Sequence, residues 1–586
     1  MSQLLAPKTI ENYSDPTQTE LTRRSELVKG LVQLIFIGLA TQLIYVIYVI
    51  AFPLVSNTQK GGPAADLEIL MRDYRWFAPI YIISIFFLYF LFWRAMQIVS
   101  SLKYQVPSVT NETSSTIASR LTPNTLKLLI LAFGLLFGFT LVFLYPITAN
   151  DLFRYVLRGR IWAVYGESPM LSPPNNFPDD PYIAFAGEFG QWVSGYGPLW
   201  EIIVQIPLRL GATDMVPGSV SLKLLVLLAY LFCAILIGWF AKPHVTYPTS
   251  TLTSASASAL ALIFFAWNPL ILIQGPGNGH NDMVFMAFMV LGLVFWQRKI
   301  WWAAVLALAL ATLAKITGLL LLPLFAIVLF KSEPSWRQRL PKLLGAGLII
   351  LVTAYVIYRA LGPLAPVFQD AWNVLTTRLE VVLNASPALN NLWTSLAAWL
   401  GFASLNSDTP PGLGSMLTAR RGFAIASGLR MLLREFLPRN AVEPIPRNTA
   451  SYIFLIFYAW LLVQLWRGKL NLVTAGFLAY FSQLMLGATF RIWYPMWLIP
   501  LAALYLTPAT FWPTFLFSLT AELSIINYFV VWRWWLDEWS WGKNGPLSKF
   551  WNYWTIMHLL TIPWLFGIPL FGPILLRWRK GEAARR

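Results

Sequence analysis

Apolar runs long enough to cross a bilayer recur from one end of this chain to the other. That feature confines the fold more than any other. In hydrocarbon each backbone N–H and C=O must find its partner within the protein, so such runs are expected to be helices and the fold all-α and polytopic. Composition agrees, because 57% hydrophobic and 12% charged residues over 586 positions exclude a soluble globular chain. Fourteen transmembrane helices are expected, near 29–53, 76–99, 124–147, 218–240, 254–273, 280–297, 300–314, 316–330, 343–361, 450–467, 470–488, 492–506, 509–531 and 551–576. The first follows a polar tail, 1–28, and so is expected to be a true span rather than a signal peptide. The run Pro198–Leu210 is apolar but short, and is expected to lie at the interface or to insert only in part.

The net charge of +17 raises the question of nucleic acid. The basic residues instead sit in short clusters between apolar runs, among them Arg23 and Arg24, Lys103 and Arg120, Arg298 and Lys299, and Arg337 to Lys342. That pattern fits cytoplasmic loops facing anionic lipid, so the bilayer rather than nucleic acid is the expected partner. The chain then divides into a cytoplasmic tail 1–28, two N-terminal spans and a loop 29–123, a core 124–361 with an extracytoplasmic loop 148–217, a long extracytoplasmic segment 362–449, and C-terminal spans with a basic tail 450–586. Cys233 is the only cysteine and the histidines number three, so neither a disulfide nor a Cys- or His-based metal centre is expected.

Chemistry is expected where polar residues interrupt the apolar pattern. The stretch Tyr145–Glu201 is the longest such interruption in the first half. Asn150-Asp151 opens a helical pattern whose apolar residues include Phe153 and Val156 and whose cations are Arg154, Arg158 and Arg160. Spacings of three and four align Asp151, Arg154 or Tyr155, and Arg158 on one face. Guanidiniums beside Asp151 favour its ionised form, and an ionised carboxylate can take the proton of an attacking hydroxyl. Asp151 is equally well placed to cap the helix, and the residues alone leave the two roles open. Further on, Asp179 and Asp180 stand in a proline-rich loop where a solvated turn is the usual outcome and a divalent cation the alternative. Tyr196-Gly197-Pro198 returns the chain to the membrane.

Three more interruptions follow. Gly275, Gly277 and Gly279 permit a tight turn ahead of His280, Asn281 and Asp282, and Asp282 is a candidate N-cap for the next helix. Lys315 divides an apolar stretch that would measure ~45 Å as one helix against a ~30 Å hydrocarbon core. Two short helices meeting there would present an ammonium to a phosphate headgroup, while the bland alternative is a snorkelling lysine. Arg491 enters a span with Trp493, Tyr494 and Trp497, a set suited to phosphate contact or to interfacial anchoring. The tryptophan-rich run Trp532–Trp541 is expected to be an interfacial belt.

Taken together, Asn-Asp-Leu-Phe-Arg-Tyr (150–155), Tyr-Gly-Glu-Ser-Pro (165–169), Asp-Asp-Pro (179–181), Tyr-Gly-Pro-Leu-Trp (196–200), Gly-Asn-Gly-His-Asn-Asp (277–282) and Arg-Ile-Trp-Tyr-Pro-Met-Trp (491–497) resemble GT-C glycosyltransferases. The nearest group is the polyprenol-phosphate-mannose-dependent α-1,6-mannosyltransferases. The resemblance implies a plasma-membrane enzyme that takes a hexose, mannose by analogy, from a polyprenyl-phosphate donor to a glycan or glycolipid acceptor on the extracytoplasmic face, inverting the anomeric centre without a metal. It makes Asp151 the expected base and Lys315, Arg491 and Arg158 the expected donor-phosphate cations. Asn150, Arg154, Tyr155, Tyr196, His280, Asn281, Asp282 and Tyr494 are then expected to bind substrate. A polyprenyl-lipid flippase or transporter needs the same spans and buried charges. It has no need of an acid fixed beside arginines in an elaborated loop, and no internal repeat is evident.

Overall fold

Proline and asparagine set many of the helix boundaries in the computed structural model, which describes residues 16–59, 77–102, 123–247, 253–362, 424–438, 442, 444–487, 490–526 and 553–583. The helices up to the first loop are α1 (Pro16–Ala51), α2 (Leu54–Gln59), α3 (Phe77–Ser101) and α4 (Pro123–Val142). The loop carries α5 (Asp151–Ala163) and α6 (Pro198–Arg209), and α7 (Met215–Ile235) follows. Next come α8 (Ser254–Ala266), α9 (Pro269–Leu272), α10 (Asp282–Gln297), α11 (Trp301–Ala314), α12 (Leu322–Lys331) and α13 (Trp336–Ala360). The last are α14 (Ile425–Arg434), α15 (Pro444–Trp466), α16 (Leu472–Leu486), α17 (Leu498–Leu504), α18 (Pro508–Ile526) and α19 (Tyr553–Ala583). Helices α4, α6, α9, α15 and α18 each start on proline, where the missing N–H would have no intrahelical partner anyway. Asn268 caps α9 through Leu270 N–H, and Asn471 caps α16 through Thr474 N–H.

The protein is nearly all-α, as expected; the described strands, β1 (His244–Val245) and β2 (Tyr505–Leu506), pair in parallel. Among the described residues seven helices are long and apolar enough to cross a membrane, or eight if α8 and α9, bent by 52°, count as one broken span. The expected fourteen therefore divide into two kinds. Segments such as α10 (16 residues) and α11 (14 residues) are apolar helices that rise only ~24 and ~21 Å against a ~30 Å core. The N-terminal end of α10 and the C-terminal end of α11 fall inside the molecule, where Asp282 and Lys315 meet. The long helices instead turn apolar side chains outward, as Phe36 and Ile50 do on α1 and Leu344 and Leu351 on α13. Helix α6 has 12 residues with Pro207 inside it, and its ~18 Å falls well short of a span. Lys103, Arg120, positions 363–423 of the long segment and the run Trp532–Trp541 lie outside the described residues.

The broken span lies at the centre. Residues Ala259 to Ala266 are all fully buried, and Trp267 donates its indole N–H to the Ile130 carbonyl. A wide π turn, Ile273–Gly277, then carries the chain toward α10. The start of the first loop is moored to the link between α1 and α2. Tyr145 N–H donates to Phe52 O at 2.8 Å and Leu54 N–H to Phe143 O at 2.9 Å. Lys223 of α7, fully buried, donates to the carbonyls of Leu141 and Leu144 at the end of α4. The Lys223 amine there satisfies carbonyls that have no helical partner.

Candidate active site

Asp151 is the first residue of α5, and Asn150 occupies the cap position. The Asp151 carboxylate is not spent on capping. Its Oδ1 accepts from Arg154 Nη1 at 2.9 Å, one helical turn on, while Oδ2 stands 3.9 Å from Nδ1 of His280. Its side chain is 13% exposed, so it borders open space rather than core. Burial by itself pushes the carboxyl up; Arg154, His280, Arg491 and the Tyr196 hydroxyl outweigh it and hold the acid below its ordinary value. Burial also dominates at His280, lowering it to about 4 against the pull of Asp151 and Asp282. The imidazole is thus neutral at pH 7, and the charges that keep Asp151 ionised there are those of Arg154 and Arg491.

The glycine-rich turn brings His280 to the acid. Gly279 has φ +76°, and a Cβ there would stand 2.9 Å from Leu152 Cδ1, so the turn lies directly on the first residues of α5. His280 stacks on Trp493, with ring centroids 4.1 Å apart. Asn281 accepts from the Tyr155 hydroxyl at 3.3 Å. Asn281, not Asp282, holds the cap position of α10, and Asp282 faces elsewhere. Its fully buried Oδ1 accepts from Lys315 Nζ at 2.8 Å and from the Trp497 indole N–H.

Lys315 sits at the expected break. Helix α11 stops at Ala314, Lys315 is extended (φ −154°, ψ 127°), and a 3-10 turn, Ile316–Leu320, leads into α12. The ammonium therefore emerges at the carbonyl end of α11. It lies 5.4 Å from the ring centroids of both Tyr494 and Trp497, which stack on each other at 4.4 Å. Its side chain is 18% exposed, so one side is open. Gly197 makes this approach possible: a Cβ there would fall 2.2 Å from Leu313 O and 2.4 Å from Ala314 O. Only glycine lets the loop lie against the backbone end of α11 and bring Tyr196 beside Asp151.

Several expected residues play other parts. Tyr155 is 1% exposed and packs edge-on against Tyr196 and Trp200, forming the wall behind the acid. Arg158 is 2% exposed; its guanidinium lies 5.2 Å from the Tyr196 ring and within electrostatic reach of Glu201, away from Lys315. Glu201 is pushed up by burial, with the Ser194 hydrogen bond and Arg158 acting the other way. Helical spacing gives the direction of the α5 face, and the loop folded over that face decides which of its residues stay open. Asp180 is committed to the loop: its Oδ2 accepts from Arg160 Nε at 3.0 Å and from the Tyr165 hydroxyl at 2.9 Å, and its Oδ1 from Tyr182 N–H at 2.9 Å. Asp179 is exposed beside it, and among the described residues no cluster of acids, histidines or cysteines is arranged to hold a metal.

Sequence reasoning did not single out Gln274, Asn278, Thr148 or Glu522, which join in a buried hydrogen-bonded network beneath the turn. The available signal was Glu522 itself, a lone acid in an otherwise apolar run, since an ionisable group at membrane depth is expensive to retain.

Residues 88–331 match the model of the alpha-(1->6)-mannopyranosyltransferase N-terminal domain, the MptA_B family. The matched stretch spans under half of the chain, from within α3 to the end of α12, and supports a GT-C-like mannosyltransferase, the resemblance carried by the loop motifs. It contains Asp151, Arg154, Tyr196, His280, Asp282 and Lys315; Arg491, Tyr494 and Glu522 lie beyond it. No curated protein and no solved structure matches the chain. The family domain supports glycosyltransferase activity, and with the long apolar helices it describes a membrane protein.

Proposed function

We propose that this chain transfers a mannosyl residue from a polyprenyl-phosphate donor to a hydroxyl of a glycan or glycolipid acceptor, at the extracytoplasmic face of the plasma membrane. The observation that carries this reading is Asp151: an acid held ionised by Arg154 and Arg491, open on one side, within the mannosyltransferase-family domain. The acceptor oxygen attacks the anomeric carbon while its proton passes to Asp151. The bond from that carbon to the phosphate oxygen breaks, and polyprenyl phosphate leaves from the opposite face, which inverts the centre. One base suffices because the leaving group is already a phosphate, unlike the carboxyl pair that glycosidases require. Lys315 and Arg491 meet the negative charge that grows on the leaving phosphate. Tyr196 and Tyr494, both partly exposed, border the space between, and the buried His280 and Asn281 stand directly behind it beside Asp151 and Tyr155. Arg158 supports Tyr196 from behind. The reaction proceeds without a metal, a reading favoured by the engagement of Asp180 with Arg160.

The test is transfer by the purified protein from polyprenyl-phosphate mannose. Asp151→Asn keeps the shape and removes the base; transfer is expected to fall by about 10²–10⁴-fold with yield and thermal stability unchanged, and a chelator to leave the parent activity intact. Full transfer by Asp151→Asn would overturn the base assignment. Carrier translocation without any transfer by the parent protein would favour a flippase.

A further inference from the structure

Beneath the proposed active site lies a polar network that transfer chemistry does not touch. Glu522 of α18 is fully buried, and its Oε1 accepts from Gln274 Nε2 at 2.7 Å. Gln274 Oε1 accepts in turn from the Thr148 hydroxyl at 3.0 Å and from Asn278 Nδ2 at 2.8 Å, and Asn278 also donates to Thr148. All four side chains are buried. Thr148 stands three positions before Asp151; Gln274 and Asn278 belong to the turn that delivers His280. The network thus ties the acid-bearing loop to the histidine-bearing turn, and anchors both on a helix outside the family-matched stretch.

The direction of the hydrogen bonds shows what Glu522 contributes. A glutamine amide has an oxygen end that accepts and a nitrogen end that donates. Thr148 and Asn278 both present donors to Gln274, so its oxygen must face them and its nitrogen must face Glu522. Without an acceptor at position 522 the nitrogen end of Gln274 is left buried and unpaired, and the amide loses the restraint at that end. A leucine at 522 would fill apolar surroundings without the desolvation that a carboxyl group brings. The carboxyl group instead sits with Oε2 lacking a hydrogen bond, near the equally unbonded hydroxyls of Tyr45 and Tyr81.

We propose that Glu522 is a positioning residue for sugar transfer: by fixing the Gln274 amide it holds Asp151 and His280 at their working separation. The proposal rests on the reading of Asp151 as the base.

It is tested on the full-length protein by comparing Glu522→Gln, Glu522→Ala, Thr148→Val and the Glu522→Ala/Thr148→Val pair, with Asp151→Asn in parallel. Displacing a base by a fraction of an ångström to an ångström lowers kcat by roughly ten- to a hundredfold. That loss is expected for Glu522→Ala and for Thr148→Val, with KM for the donor unchanged. The double variant is expected to be no worse than either single, because both cut the same path. Glu522→Gln retains an acceptor oxygen and is expected to recover most of kcat. Parent-like kcat in Glu522→Ala beside an inactive Asp151→Asn would overturn the positioning role and leave the base intact. Full transfer by Asp151→Asn would overturn the base. Multiplicative losses in the double variant, or a kcat loss in Glu522→Ala that Glu522→Gln shares in full, would also overturn the proposal.

Discussion

The Asp282–Lys315 pair can be made to separate what holds the site together from what binds the donor. Asp282 is fully buried, with Oδ1 taking hydrogen bonds from Lys315 and Trp497 and Oδ2 taking none. Lys315→Met removes the counterion and leaves a buried carboxylate. Breaking a fully buried pair this way costs about 3–5 kcal/mol. The Lys315 side chain is 18% exposed, so solvent already screens part of the attraction and roughly 2–3 kcal/mol is expected here. Combining Lys315→Met with Asp282→Leu removes both charges, and stability is expected to return to within about 1 kcal/mol of the parent. Donor binding should respond differently. A charge-assisted contact to phosphate contributes about 1.5–3 kcal/mol, and a loss near 2 kcal/mol is about 30-fold in affinity. Lys315→Met and the double variant should therefore share a raised KM for the polyprenyl-phosphate donor, although only the single variant is unstable. The assay pairs denaturation in detergent with initial transfer rates over a range of donor concentrations. A double variant that recovers both stability and parent-like KM would show that Lys315 is a strut for Asp282, and the phosphate role would be wrong.

Three other outcomes follow from the geometry. Asp151 is held below its ordinary value, so transfer should stay on a plateau down to pH 5 and fall only in stronger acid, with no inflection from His280 near its free value of 6.5; a half-point near neutrality in the pH–rate profile would refute this. His280 titrates at about 4 when folded, so between pH 4 and 6.5 the unfolded chain binds more protons. Its contribution to stability is complete above 6.5 and is lost as the pH drops toward 4, so His280→Gln should flatten the pH dependence of the melting point over that window. Gly197→Ala drives a methyl into the Leu313 and Ala314 carbonyls, which should cost about 1–3 kcal/mol and displace Tyr196, lowering transfer as well as the melting point. Parent-like values for both would mean that the loop does not rest on α11 in solution.

The helical membrane architecture was legible in residue order because a bilayer demands long apolar runs with satisfied backbones, and the break at Lys315 was legible because the run around it is too long for one span and too short for two. Asp151 stood out for the same kind of reason, as an acid among arginines where apolar patterning stops. Its role does not follow from that: residue order leaves cap and base open, and the structure bears on the cap alone, by putting Asn150 at that position and turning the carboxylate to Arg154. Arg158 and Tyr155 share the helical spacing of Asp151 but are covered by Trp192, Tyr196 and Trp200, and no local pattern reports what a distant loop will cover. The meeting of Asp151 with His280, of Lys315 with Asp282, and of Thr148 and Gln274 with Glu522 joins residues up to 374 positions apart (148 to 522). Sequence determined which helices form and where they must end, since hydrophobic length and turn chemistry are local properties. Only the tertiary structure decided which of those ends face one another, because that depends on how half-length helices pack around a broken span.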